Sequence, residues 1–161
     1  MAKVVSMTEE YSASISRWKY DGIYSFYDHN EENTHVNMDG KHFACLDDGG
    51  ELTGYFCFGE DARVPIVEES AYEEGYLDMG LGLRPDLCGK GLGLSFMNAG
   101  LKFAREFYKA DEFRLSVAAF NERAVKVYIK AGFYVAREVT NSCFGNKFLI
   151  MKCSFCDRGG R

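Results

Sequence analysis

Residues 77–107, LDMGLGLRPDLCGKGLGLSFMNAGLKFAREF, constrain this chain more than any other stretch. Leu77, Met79, Leu81 and Leu83 alternate as one face of a strand. A turn at 84–88 then leads to Gly89, Gly91 and Gly93. The run from Gly91 is a helix with two apolar stripes, Leu92, Phe96, Phe103 and Phe107, and Leu94, Met97, Leu101 and Ala104, so it packs on most of its girth. Glycines let the backbone approach a ligand and turn its N–H groups inward, and a helix start adds exposed donors and the positive end of a dipole. The stretch is therefore either an anion-binding loop suited to a phosphate or a plain strand-to-helix connection.

Spacing narrows the ligand. A P-loop requires GxxxxGK followed by Ser or Thr, whereas Lys90 is followed by Gly91 and Arg84 stands five places before Gly89. The dinucleotide pattern GxGxxG fails as well. Begun at Gly89 or Gly91 its last position falls on Leu94 or Phe96, and Asp111 precedes the next strand instead of ending it. What remains is Gly89-Lys90-Gly91-Leu92-Gly93, with Cys88 just before it.

At 161 residues, 47% of them hydrophobic, the chain can bury one self-sufficient core. A formal charge of -5 opposes a nucleic-acid partner, which calls for a basic face. No apolar run reaches the roughly eighteen residues of a membrane span, and residues 1–10 hold no signal-peptide core, so a cytoplasmic protein without a membrane partner is expected. Most of the six cysteines stand alone in apolar runs. The single CxxC, Cys153 to Cys156, has no second pair or HxxxH to complete a metal site, so no metal is expected.

Taken in order, residues 3–6 are a short strand, and Thr8 caps a helix that includes Tyr11, Ile15 and Trp18 and stops near Tyr20. Residues 21–28 form an aromatic turn in which Tyr24 and Phe26 either cover the core or line a ligand. A second short helix is expected at 31–37. Strands at 42–46 and 52–58 flank Asp47-Asp48-Gly49-Gly50, a hairpin signal. Residues 59–75 are an acidic surface excursion, either merely solvated or attracting a basic acceptor. After the glycine loop and its helix come a strand at 113–119, a helix capped by Asn121 and ended by Gly132, and strands at 134–140 and 148–152. The order βααβββαβαββ predicts an α/β (α+β) domain over 1–153, with a frayed tail at 154–161. It has a single mixed, mostly antiparallel sheet of about seven strands with helices on both faces.

LRPDLCGKGLG, followed about thirty residues later by FNERAVKVYIKAGF, resembles the GNAT superfamily of N-acetyltransferases along essentially the whole chain. The second half is most similar to the ribosomal-protein-alanine N-acetyltransferase branch. The resemblance implies acetyl-CoA as donor and a primary amine as acceptor, on a small molecule, an amino acid or a protein N-terminus, in a monomer or homodimer. It implies that the amides of Gly89, Lys90, Gly91, Leu92 and Gly93, beside Cys88, hold the coenzyme A pyrophosphate. The backbone of Leu81 and Leu83 would pair with the pantetheine arm, and Asn121 would lie near the cofactor. Tyr128 matches the residue that returns a proton to the departing thiolate. Gly80 and Gly82 either open the strand for the acetyl group or make room for packing.

One position departs from the family pattern. Ser116 stands where the ribosomal-protein branch has a glutamate base, and a serine hydroxyl does not deprotonate an ammonium. Three routes stay open: Asp78 through a water, a carboxylate of the acidic excursion such as Glu74, or no dedicated base. Tyr24, Phe26 and Glu74 are the candidate acceptor-binding residues. Cys88 lacks a neighbouring His and is not expected to be a nucleophile. The reading from another class is an acyl-CoA-binding sensor domain without turnover.

Overall fold

The computed structural model describes residues 2–28 and 40–155. The expected helix at 31–37 and most of the expected tail lie outside these residues. Seven strands are present: β1 (Lys3–Ser6), β2 (His42–Leu46), β3 (Leu52–Phe58), β4 (Leu77–Leu83), β5 (Glu112–Ala118), β6 (Tyr134–Thr140) and β7 (Lys147–Ser154). Their order in one open sheet is β1-β2-β3-β4-β5-β7-β6. Among the described residues three α-helices accompany them: α1 (Glu9–Ser16), α2 (Gly93–Tyr108) and α3 (Glu122–Ala131). This is the mixed, mostly antiparallel α/β architecture expected. The chain divides into two compact units, Met1–Cys57 with Leu81–Gly100 and Phe58–Gly80 with Leu101–Arg161, so β4 and α2 each belong partly to both.

In the first unit β1, β2 and β3 pair antiparallel. The hairpin between β2 and β3 closes on Asp47, whose Oδ1 accepts from the amides of Gly49 and Glu51, both at 2.9 Å. Thr8 Oγ1 accepts from Tyr11 N and caps α1. The helix ends at Ser16, earlier than expected. Trp18, placed in the helix by sequence, instead lies beyond it and packs with Met7, Ile15 and Ala44, its ring 6.2 Å from that of Tyr55. Arg84 N donates to Thr53 O, which ties the chain just past β4 to β3. The rings of Phe56 and Phe96 stack at 4.5 Å, and three glycines make room for such rings. A Cβ on Gly54 would lie 2.4 Å from Phe96, one on Gly82 2.3 Å from Tyr55, and one on Gly100 2.3 Å from Phe56. Gly82 thus serves packing.

In the second unit β5 is central. It runs parallel to β4 at Leu77↔Phe113 and Asp78↔Arg114, and antiparallel to β7 along its whole length. Its residues Phe113, Leu115 and Val117 are buried, as are Phe148, Ile150 and Met151. Helix α3 begins where Asn121 Oδ1 accepts from Ala124 N at 3.2 Å, and Gly132 supplies the left-handed end at φ 111°. The acidic segment 59–75 is fastened more firmly than a surface excursion need be. Ile66 bridges Asn141, Val67 N donates to Thr140 O, and Glu68 Oε1 accepts from Thr140 N at 2.8 Å.

Candidate active site

The glycine loop lies wholly in the first unit. Pro85 opens a 3-10 turn (Pro85–Leu87), and Gly89 and Gly91 follow in left-handed conformations at φ 74° and 78°. A Cβ on Gly91 would meet nothing, so conformation and not space requires the glycine there. Gly89, Lys90, Gly91 and Leu92 are exposed, and α2 starts at Gly93, two residues later than sequence suggested. Among the described residues the amides of Gly89 to Gly93 donate no hydrogen bond outside α2. A row of unengaged donors at a helix start, with two backbone reversals that gather them, suits a diphosphate.

Neighbouring side chains face elsewhere. Arg84 is held by Asp86, Nε to Oδ1 at 2.6 Å and Nη2 to Oδ2 at 3.1 Å, and its Nη1 donates to Leu52 O. The Cys88 thiol turns back to the carbonyls of Leu83 and Arg84, 3.7 Å from each. The Leu83 carbonyl also accepts from Tyr20 Oη at 2.9 Å, a contact that sequence reasoning missed. Burial raises the Tyr20 hydroxyl well above its usual range, so it acts as a fixed donor. Leu81 is half-buried in β4. Tyr24 (half-buried) and Phe26 (38% exposed) sit in a 3-10 turn (Gly22–Tyr27) tethered by Tyr20 N donating to Asp28 Oδ1 at 2.7 Å.

The second unit holds the remaining candidates. Tyr128 is half-buried on α3, its ring centroid 6.2 Å from that of Phe133. Ser116 is half-buried on β5, its Oγ 2.8 Å from Tyr72 Oη. Glu74 is exposed and has no ion-pair partner among the described residues.

Asp78 is the largest departure from expectation. Sequence makes it a candidate base acting through a water, and its alternation with Leu77 and Met79 also fits a solvated strand face, yet it is 3% exposed. Its Oδ1 accepts from Arg114 Nε at 2.6 Å, and its Oδ2 from Arg114 Nη2 at 2.9 Å and Arg63 Nε at 2.8 Å. Arg114 is fully buried, and its Nη1 donates to Glu73 O at 2.7 Å. The guanidinium carbons of Arg63 and Arg114 lie 5.2 and 5.1 Å from the Tyr72 ring centroid. Arg114 lies 5.2 Å and Lys152 Nζ 4.5 Å from the Tyr76 ring. Cation and ring therefore alternate as Arg63, Tyr72, Arg114, Tyr76, Lys152, and Lys152 also pairs with Glu73. No local signal marked the pair: Arg114 alternates with Phe113 and Leu115 just as Asp78 does with Leu77 and Met79, and either pattern reads as a solvated strand face.

A family profile described as the acetyltransferase (GNAT) family matches residues 5–133. The chain belongs to that family. This acetyltransferase uses acetyl-CoA, and the unengaged amides of Gly89 to Gly93 fit the diphosphate of that coenzyme. No curated protein matches the sequence. Among solved structures, a spermidine N-acetyltransferase SpeG chimera from Vibrio cholerae and hSSAT is 17% identical over 99% of both chains, with a TM-score of 0.74. An acetyltransferase (GNAT family) from Bacillus anthracis is 16% identical over 95% of this chain and 94% of its own, with a TM-score of 0.71. The aminoglycoside acetyltransferase AAC(6')-Ib in complex with coenzyme A is 18% identical over the full length of both chains, with a TM-score of 0.74. At these identities the likeness is one of fold. Among the described residues no three His, Cys, Asp or Glu side chains gather as they would around a metal ion.

Proposed function

We propose that this acetyltransferase moves the acetyl group directly to a primary amine of a small molecule, with Tyr128 as the acid and residues 89–93 as the diphosphate cradle. The observation that carries this reading is the set of unengaged amides at the left-handed Gly89 and Gly91, ahead of α2. Acetyl-CoA supplies an acetyl thioester, and the protein's part is to hold it, orient it and manage protons. Leu83 O is already taken by Tyr20, so pairing with the pantetheine arm falls to Leu81 and the Leu83 amide. The Asn121 side-chain oxygen caps α3 at the position the family places near the coenzyme. Tyr128 gives its phenolic proton to the departing sulfur.

Asp78 is assigned an organising role in place of a proton-accepting one. Three N–H donors from two guanidiniums engage both of its oxygens, and losing them to take a proton would leave Arg114 buried without a counter-charge. With Ser116 unable to serve, the amine enters neutral or gives its proton to the exposed Glu74 or to water. The relatives of known structure named for spermidine and aminoglycosides act on small cationic amines, which supports an acceptor of that size. A protein N-terminus is the second reading, favoured by the likeness of residues 120–133 to the ribosomal-protein-alanine branch.

Coenzyme A release measured against amino acids, polyamines, aminoglycosides and N-terminal peptides separates the two. Turnover of a small amine is expected. Turnover restricted to peptides beginning with alanine would replace this reading with the second.

A further inference from the structure

The charge cluster around Asp78 is built but unevenly filled. Arg114 spends all three of its nitrogens, two on Asp78 and one on the Glu73 carbonyl. Arg63 spends only Nε; its two terminal nitrogens have no partner among the described residues. Two guanidiniums share one carboxylate, which leaves one positive charge uncompensated. That charge sits on Arg63, whose side chain is 32% exposed, while Arg114 is sealed.

The Arg63 fork is also held in place. Asp78 fixes its Nε edge and the Tyr72 ring lies 5.2 Å from its centre. Tyr72 is itself anchored, accepting from Val64 N at 3.0 Å and sharing a hydrogen with Ser116 at 2.8 Å. A planar guanidinium with two parallel free N–H groups matches a carboxylate in geometry, and its fixed position lowers the ordering cost of binding. The fork favours a carboxylate over a phosphate dianion, since Arg63 and Arg114 share one carboxylate and a second would complete the pairing.

We propose that Arg63, which lies over Tyr72 and through it beside Ser116 at the position of the family's base, binds the carboxylate of the acceptor, so the acceptor is a primary amine that also bears a carboxylate, an amino acid or short peptide. The inference rests on the small-amine reading above and narrows it.

The experiment measures coenzyme A release with free amino acids and dipeptides, their C-terminal amides, and spermidine, in the wild type and in Arg63→Gln and Arg63→Lys. At least one acid is expected to exceed its own amide at least tenfold in kcat/KM. Arg63→Gln should abolish that preference by raising KM for the acid at least tenfold, with KM for the amide and for acetyl-CoA changed less than twofold. Arg63→Lys, which keeps the charge but not the fork, should fall between. Amides or spermidine accepted as well as the acids by the wild type would overturn the inference while leaving the small-amine reading intact. This comparison needs no variant and so survives a folding defect. A rise in KM for acetyl-CoA in Arg63→Gln would also overturn it, by assigning the fork to a coenzyme phosphate. If no amine is acetylated, both this inference and the small-amine reading fall. Calorimetric titration with acetyl-CoA then shows whether the diphosphate cradle survives.

Discussion

Replacing Tyr128 with Phe removes one oxygen and keeps the ring beside Phe133. If that oxygen protonates the departing thiolate, kcat falls on the order of 100-fold while acetyl-CoA affinity by calorimetry stays within a factor of two. An unchanged kcat would take Tyr128 out of the reaction. Asp78→Asn tests the opposite kind of residue. It leaves Arg114 buried with no full counter-charge, and the expected loss in chemical denaturation is about 3–5 kcal/mol. A general base would instead lose activity in a stably folded protein. Neither Asp78's burial nor its partners could be read locally: Arg63 lies 15 and Arg114 36 residues away, and a carboxylate alternating with Leu77 and Met79 looks like any solvated strand position. The place of Tyr128 on α3 was legible because the helix is bounded by the Asn121 cap and the Gly132 stop.

At the scale of elements, the legible parts were those whose causes are local. The Asp47 hairpin, the Thr8 and Asn121 caps and the left-handed Gly132 each depend on side chains within a few residues. The misplacements have a common origin in tertiary packing. Helix α1 stops at Ser16 and Trp18 joins the cluster with Ile15 and Ala44, and no short-range signal announces that. Thr8→Ala should cost about 1 kcal/mol, read from urea melts, through loss of the acceptor for Tyr11 N. Gly54→Ala should cost more. Its new methyl group would lie 2.4 Å from the Phe96 ring and 2.7 Å from the Gly82 carbonyl, and the backbone cannot yield as a side chain can. A lowered melting temperature of about 1–3 kcal/mol equivalent is expected. A neutral result would mean that β3 can shift at that point.

For the whole molecule, stability toward acid follows from carboxylates held below their ordinary range. The Thr140 amide does this to Glu68, Lys152 to Glu73 and Arg84 to Asp86. A carboxyl group whose folded value lies below its unfolded one contributes stability above the unfolded value and loses it as pH falls through the folded one. Thermal melts should therefore be flat near neutrality and fall once pH enters the carboxylate range. Added salt should shrink the part of the loss due to Glu73 and Asp86, because both are exposed and their ion pairs are screened. A melting temperature that rises on acidification would contradict these pairings. The mixed, mostly antiparallel sheet and the hairpin of β2 with β3 were legible from the order of elements, whereas the strand order was not, because it is set by pairings between segments far apart in the chain.

The alternating stack of Arg63, Tyr72, Arg114, Tyr76 and Lys152 has a consequence for heredity as well as for chemistry. The 59–75 segment is moored by partners encoded far downstream, so it is not a portable cassette. Recombining it alone into another acetyltransferase would strand Arg63 and Glu73 without their counter-ions. Only a transfer that brings Asp78, Arg114 and Lys152 along would carry the segment's course intact. Divergence in this loop should therefore come in linked sets of substitutions spread over some ninety positions, and breeding new acceptor preferences by shuffling it will need crossovers that respect that linkage.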